Sequence, residues 1–128
     1  MKQYGFPKAY KLCSKKEFET LLSKGRTLVV FPFKFIWLSS SANDSPIKIG
    51  ISIPKRFHKK AVTRNNIRRH VREALRTQCS DFFVTLQNKK QTVSCLIIYS
   101  DTTIIPSQEI AKKIRSGIKK IVENHEYH

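Results

Sequence analysis

The chain has 128 residues, of which 25 are Lys or Arg and nine are Asp or Glu, giving a formal net charge of +16 and a pI near 10.1. With 40% hydrophobic residues it can bury one real core, which excludes a disordered basic tail. Charge on that scale bears on partners rather than fold, and it calls for a strongly anionic one.

Residues 1–13 mix Lys2, Lys8 and Lys11 with Tyr4, Phe6, Tyr10 and Leu12, and Pro7 discourages an early helix. An extended arm is expected, its aromatics packed on the body or stacked on bases. The stretch lacks the apolar core of a signal peptide. Ser14 and Glu17 have the spacing of a capping box, and Phe18, Leu21 and Leu22 follow at helical intervals. Gly25 would supply a left-handed stop, so a short helix is expected over 14–24. Phe18 and Leu22 either serve the core or line a groove against the sheet where single-stranded bases stack.

Residues 27–31 (TLVVF) and 33–38 (FKFIWL) have strand composition, with Pro32 interrupting the ladder or marking an edge. In the second, Phe33, Phe35 and Trp37 share one face and Lys34, Ile36 and Leu38 the other. A turn-rich loop spans 39–46. The alternation of Ile47, Ile49, Ile51 and Ile53 then marks a third strand, ended by Pro54.

Residues 55–76 carry nine basic side chains and a single acid, Glu73. At about 100° per residue, Arg64, Arg68, Arg69, Arg72 and Arg76 fall on one arc with Asn65. Ile67, Val71, Ala74 and Leu75 gather on the adjacent arc, so an amphipathic helix is predicted. Stacked arginines repel by a few tenths of a kcal/mol per pair, and stability alone gives no reason to place them there. Phosphate does, since the guanidinium fork matches its geometry. Lys55, Arg56, His58, Lys59 and Lys60, just before the helix, would add phosphate contacts. Asn65 reads a base edge or holds the neighbouring loop.

Residues 80–91 read as a polar connection and 92–99 (TVSCLIIY) as a strand covered on both faces. A last helix is capped near Ser107, with Ile110, Ile114, Ile118, Ile121 and Val122 as its core stripe. The result is one domain over 1–128: an arm (1–13), a body (14–122) and a frayed tail (123–128). Its order is α-β-β-β-α-β-α, an α+β two-layer sandwich with one four-stranded sheet and three helices. The unit from 47 to 99 would cross over right-handed by default.

Protein-borne catalysis finds little support. His58, His70, His125 and His128 have no carboxylate or Cys at ligand spacing, and the acids are scattered. Cys13, Cys79 and Cys95 suit reduced thiols rather than a disulfide framework. Cys79 follows the arginine-rich helix, where a thiolate would be favoured, but it has no matched base and reads as an inert buried thiol. No apolar run of about 18 residues exists to span a membrane.

Gly50-Ile51-Ser52-Ile53, Lys55-Arg56 and Ala61-Val62-x-Arg64-Asn65-x-x-Arg68-Arg69-x-x-Arg72-Glu73 resemble the signature of bacterial ribonuclease P protein subunits. Phe6-Pro7-Lys8, Leu12, Phe18 and Lys24-Gly25 match it too, so that the resemblance covers roughly residues 6–122. It implies a fold like the second domain of ribosomal protein S5, with a left-handed βαβ crossover. It also implies a cytoplasmic, monomeric cofactor of one catalytic RNA, which removes the 5′ leader of precursor tRNA using Mg²⁺ held through the RNA. No catalytic residue is expected on the protein. By the same resemblance Arg64, Asn65, Arg68, Arg69 and Arg72 contact RNA or the loop that does, helped by Lys55 and Arg56, with Lys59 and Lys60 in the same loop. A cleft between the basic helix and the sheet would hold the leader, lined by Phe18, Leu22 and Ile36. Leu22 and Ile36 are aliphatic, which weakens stacking or passes it to Phe33 or Phe35. Asn66 stands where the pattern has Arg, removing one phosphate contact. The alternatives are a ribosomal or other structural RNA-binding protein of the same fold, and a protein-only nuclease.

Overall fold

A computed structural model describes residues 15–40, 47–88 and 92–126. The elements run α1 (Lys15–Lys24), β1 (Arg26–Val30), β2 (Phe33–Ser40), β3 (Ile47–Ser52), α2 (Ala61–Gln78), α3 (Ser80–Asn88), β4 (Thr92–Tyr99) and α4 (Ser107–Glu126). The arm, the Ser14 cap, Cys13 and the centre of the 39–46 loop lie outside the described residues.

The four strands form one mixed sheet in the order β1-β2-β4-β3. β1 and β2 make an antiparallel hairpin with Leu28 opposite Phe35, and β4 adds antiparallel to β2 with Trp37 opposite Cys95. β3 lies parallel to β4, Ile49 opposite Cys95, so the chain must cross over between them through α2 and α3. β4 thus has neighbours on both edges and side chains buried on both faces, which its nearly unbroken apolar sequence anticipates.

Strand alternation sorts the core into two layers. Phe33, Phe35, Trp37, Ile49, Val93, Cys95, Ile97 and Tyr99 meet Ile67, Val71, Ala74 and Leu75 of α2 and the isoleucines of α4. On the opposite face Leu21 of α1 is buried with Leu96, flanked by Ile36, Leu38 and Ile98. Sheet, α2 and α4 form the sandwich, and α1 caps the other side.

Three local expectations change. The polar connection after the basic helix contains a helix, α3, making four helices among the described residues. Ser80 and Asp81 begin it, and Phe82 packs against the main core. The last helix continues through Glu126, into the 123–128 tail expected to fray. Gly25 does not supply a left-handed stop: no described glycine has positive φ, and its amide donates to the Leu21 carbonyl at 2.8 Å. Glycine is needed there for room, since a Cβ would lie 2.5 Å from Leu21 O and 2.7 Å from Ile36 Cγ2.

Gly117 on α4 obeys the same constraint, because a Cβ would meet Phe35 Cζ at 2.2 Å and Phe35 is fully buried. Gly117→Ala gains up to about 1 kcal/mol of helix propensity but overpacks the core by about 1–3 kcal/mol. Chemical denaturation is expected to show net destabilisation, while Lys119→Ala stays within about 0.5 kcal/mol of the parent. A Gly117→Ala midpoint equal to the parent's would contradict this packing.

Candidate nucleic-acid interface

Helix α2 is placed by its apolar side. Ile67, Val71, Ala74 and Leu75 are all buried, and each contributes on the order of 1–3 kcal/mol. With that arc turned to the sheet, Arg69 and Arg72 are exposed and Arg64 and Arg68 half-buried. Lys60 is the N-cap of the helix and its side chain makes no capping bond, and the first turn holds no acid. Its leading amides therefore lie among cations, an arrangement that favours an anion at the N-terminus.

The arginines of the stripe divide by partner. Arg64 Nη1 donates to the carbonyls of His58 at 3.0 Å and Lys59 at 2.9 Å, so it clamps the preceding loop. Arg68 Nη1 donates to Asn65 Oδ1 at 3.3 Å, which sets Asn65 to holding an arginine rather than the loop. Arg76 is ion-paired with Glu73. No carboxylate among the described residues pairs with Arg68, Arg69 or Arg72.

Lys55, Arg56, Lys59 and Lys60 are exposed on the loop before α2, with the Arg56 guanidinium 4.8 Å from the centre of the Phe57 ring. His58, expected to reach phosphate with them, is instead buried at 6% exposure. Helix α4 offers the contrast. Lys112, Arg115 and Lys119 line a groove of about 550 Å³ with Gln78, Gln108 and Ser116. Lys112 has Glu109 at 3.7 Å, and Arg115 has Asp81 at 3.3 Å. Arg115 also donates to the Gln78 carbonyl and lies over the Phe82 ring, tying α4 to α2 and α3. Its hydrogen bond holds the Asp81 carboxyl below the ordinary value. The sequence grouped His58 with the phosphate-facing cations and gave no sign of its buried role, and the only trace of Arg115 is its position beside the α4 isoleucine stripe.

The residues expected to line a leader cleft separate. Leu22 is 62% exposed on α1, and Ile36 is half-buried beside Leu21 and Leu96 on the same side of the sheet. Phe33 faces the other way, 1% exposed, with its ring edge-on to Tyr99 at 5.0 Å. Phe35 is equally enclosed. Neither ring can stack on a base, because the interval of one residue from Lys34 or Ile36 reverses the face. The space between α2 and the sheet is closed core, so a groove involving Ile36 and Leu22 belongs to the α1 side. The Phe18 side chain lies outside the described residues.

Among the described residues no cluster of three His, Cys, Asp or Glu side chains could hold a metal ion, and no helix is long and apolar enough to cross a membrane. Cys79 and Cys95 are free and buried. Burial pushes the Cys79 thiol up to about 12, against a smaller opposing pull from Arg115, and raises Cys95 likewise. A raised folded pKa means that Cys79 adds stability below its unfolded value, which is lost as pH rises toward the folded one. With Cys13→Ser, a thiol reagent at pH 8 should label these two sites in the folded protein at least about a hundredfold more slowly than in the denatured chain, because both are reached only through opening. Labelling of the folded protein at the rate of the denatured chain would overturn this.

A family model described as Ribonuclease P matches residues 6–122. The chain is 41% identical over 73 residues to the ribonuclease P protein component of Picosynechococcus sp., a match covering 57% of this chain and 61% of that relative. A solved structure of the Staphylococcus aureus RNase P protein superposes with a TM-score of 0.71 at 22% identity, covering 89% of this chain and 95% of the other. The RNase P protein from Thermotoga maritima gives 0.64 at 19% identity, with 86% and 96% covered. At those identities the two structures bear on the fold.

Proposed function

The chain belongs to the ribonuclease P protein family, and from that premise we propose that it binds the catalytic RNA of ribonuclease P and the 5′ leader of precursor tRNA. It assists the Mg²⁺-dependent cleavage that yields the mature 5′ end, acting in the cytoplasm as one protein per RNA. The observation that carries this reading is the set Arg68, Arg69 and Arg72, exposed or half-exposed on a rigid helix without carboxylate partners among the described residues.

Each residue then has a physical task. Arg68, Arg69 and Arg72 meet phosphates of the folded RNA, with Asn65 steadying Arg68. Lys55, Arg56, Lys59 and Lys60 extend the contact from the loop, and Arg64 holds that loop in place. Leu22 and Ile36 offer apolar surface to the leader on the α1 side. In this reading the RNA holds the Mg²⁺, and the protein's residues bind and orient the two RNAs. The protein's own contribution is electrostatic. Two polyanions must approach, and a partner of charge +16 replaces counterions that would otherwise be concentrated there.

Reconstitution with the cognate RNA should therefore lower the Mg²⁺ needed for precursor tRNA cleavage. Arg68→Ala and Arg72→Ala should each weaken assembly about tenfold, about 1.4 kcal/mol, and reduce the salt slope by about 1. Unchanged cleavage at low Mg²⁺ would count against the reading, as would copurification with ribosomes in place of one RNA.

A further inference from the structure

Loop 54–60 concentrates Lys55, Arg56, Lys59 and Lys60 between β3 and α2. Like charges at such spacing drive a free loop apart, and ordering it on binding would cost affinity. In this structure the loop is pinned from three directions. Within it, the amides of Phe57 and His58 both donate to the Pro54 carbonyl, at 3.2 and 3.3 Å. From α2, Arg64 grips the carbonyls of His58 and Lys59.

The third hold comes from below. The His58 ring donates from Nε2 to the Asp101 carbonyl at 2.7 Å and stands edge-on to Tyr99 with centroids 5.3 Å apart. The receiving segment is itself braced. Tyr99 donates its hydroxyl to the Thr103 carbonyl, the Thr103 amide donates to the Asp101 carboxylate at 3.0 Å, and Ser100 N donates to the Pro32 carbonyl at 3.0 Å. A continuous run of bonds thus joins the β1–β2 turn to the basic loop.

We infer that His58 is a positioning residue for RNA binding, locking loop 54–60 onto the Tyr99–Thr103 segment so that its four cations stand in a fixed array before RNA arrives. The inference rests on the proposed RNA-binding function and adds to it a residue that touches no RNA. Its signature is that a change at His58, which leaves every lysine and arginine of the loop in place, alters a charge-counting measurement. A purely structural role would lower the melting temperature yet leave the folded protein's contacts intact.

The test measures affinity for the cognate catalytic RNA, and its salt slope, for the parent, His58→Ala and His58→Gln, well below each variant's melting temperature. His58→Ala is expected to bind about tenfold more weakly with a slope reduced by about 1, although Lys55, Arg56, Lys59 and Lys60 are all still present. His58→Gln, whose amide can still reach the Asp101 carbonyl, should recover most of both. His58→Ala matching the parent in affinity and slope would overturn the assignment, whereas a parent that binds without salt dependence would overturn the RNA-binding function itself. If His58→Ala does not fold, hydrogen exchange on the free parent decides. Protected Phe57 and His58 amides support a preformed loop, and exchange at the unprotected rate refutes it.

Discussion

Ile67, Val71, Ala74 and Leu75 press α2 onto the sheet, and that contact governs most of what the surface presents. Once this arc is buried, the pitch of the helix leaves no choice about where Arg68, Arg69 and Arg72 go. The hydrophobic term, several kcal/mol in sum, far exceeds the few tenths of a kcal/mol by which each arginine pair repels. The core therefore holds in place a charge pattern that would not arise for its own stability. Functional strain of this kind is tolerable because the cost is small and the anchor is large.

Charge alone does not mark the interface. Helix α4 carries four lysines and an arginine, yet Lys112 and Arg115 have Glu109 and Asp81 beside them, and Arg115 spends its donors fastening three helices together. Arg76 at the far end of α2 is likewise neutralised by Glu73. Among the described residues of the loop and α2, the cations without a carboxylate partner begin at the basic loop and end near Arg72. Loop and helix meet through Arg64, so the cations on either side of it act as one surface rather than two.

Much of this was legible in the sequence, for identifiable reasons. The period-2 pattern of FKFIWL and of Ile49, Ile51 and Ile53 assigned faces correctly, and the stripes on α2 and α4 named their buried residues. The same alternation puts Phe33 and Phe35 on the core side, away from Ile36, which is at odds with a leader-stacking role for either ring. Other features were beyond sequence reach. α3 is a short helix whose Phe82 and Asp81 are satisfied by Arg115, a residue 34 positions from Asp81. His58 reads as one more member of a basic cluster until its ring is found under Asp101 and Tyr99. Gly25 resembles a helix stop by composition, and only the closeness of Ile36 shows that its role is to leave space.

The most direct measurement is side-chain NMR of the arginine guanidinium groups during titration with the cognate catalytic RNA. The expected result is that Arg68, Arg69 and Arg72 shift and broaden while Arg76 and Arg115, already occupied by Glu73 and Asp81, stay where they are. Shifts at Arg115 with the α2 arginines unmoved would contradict the placement of RNA on that helix.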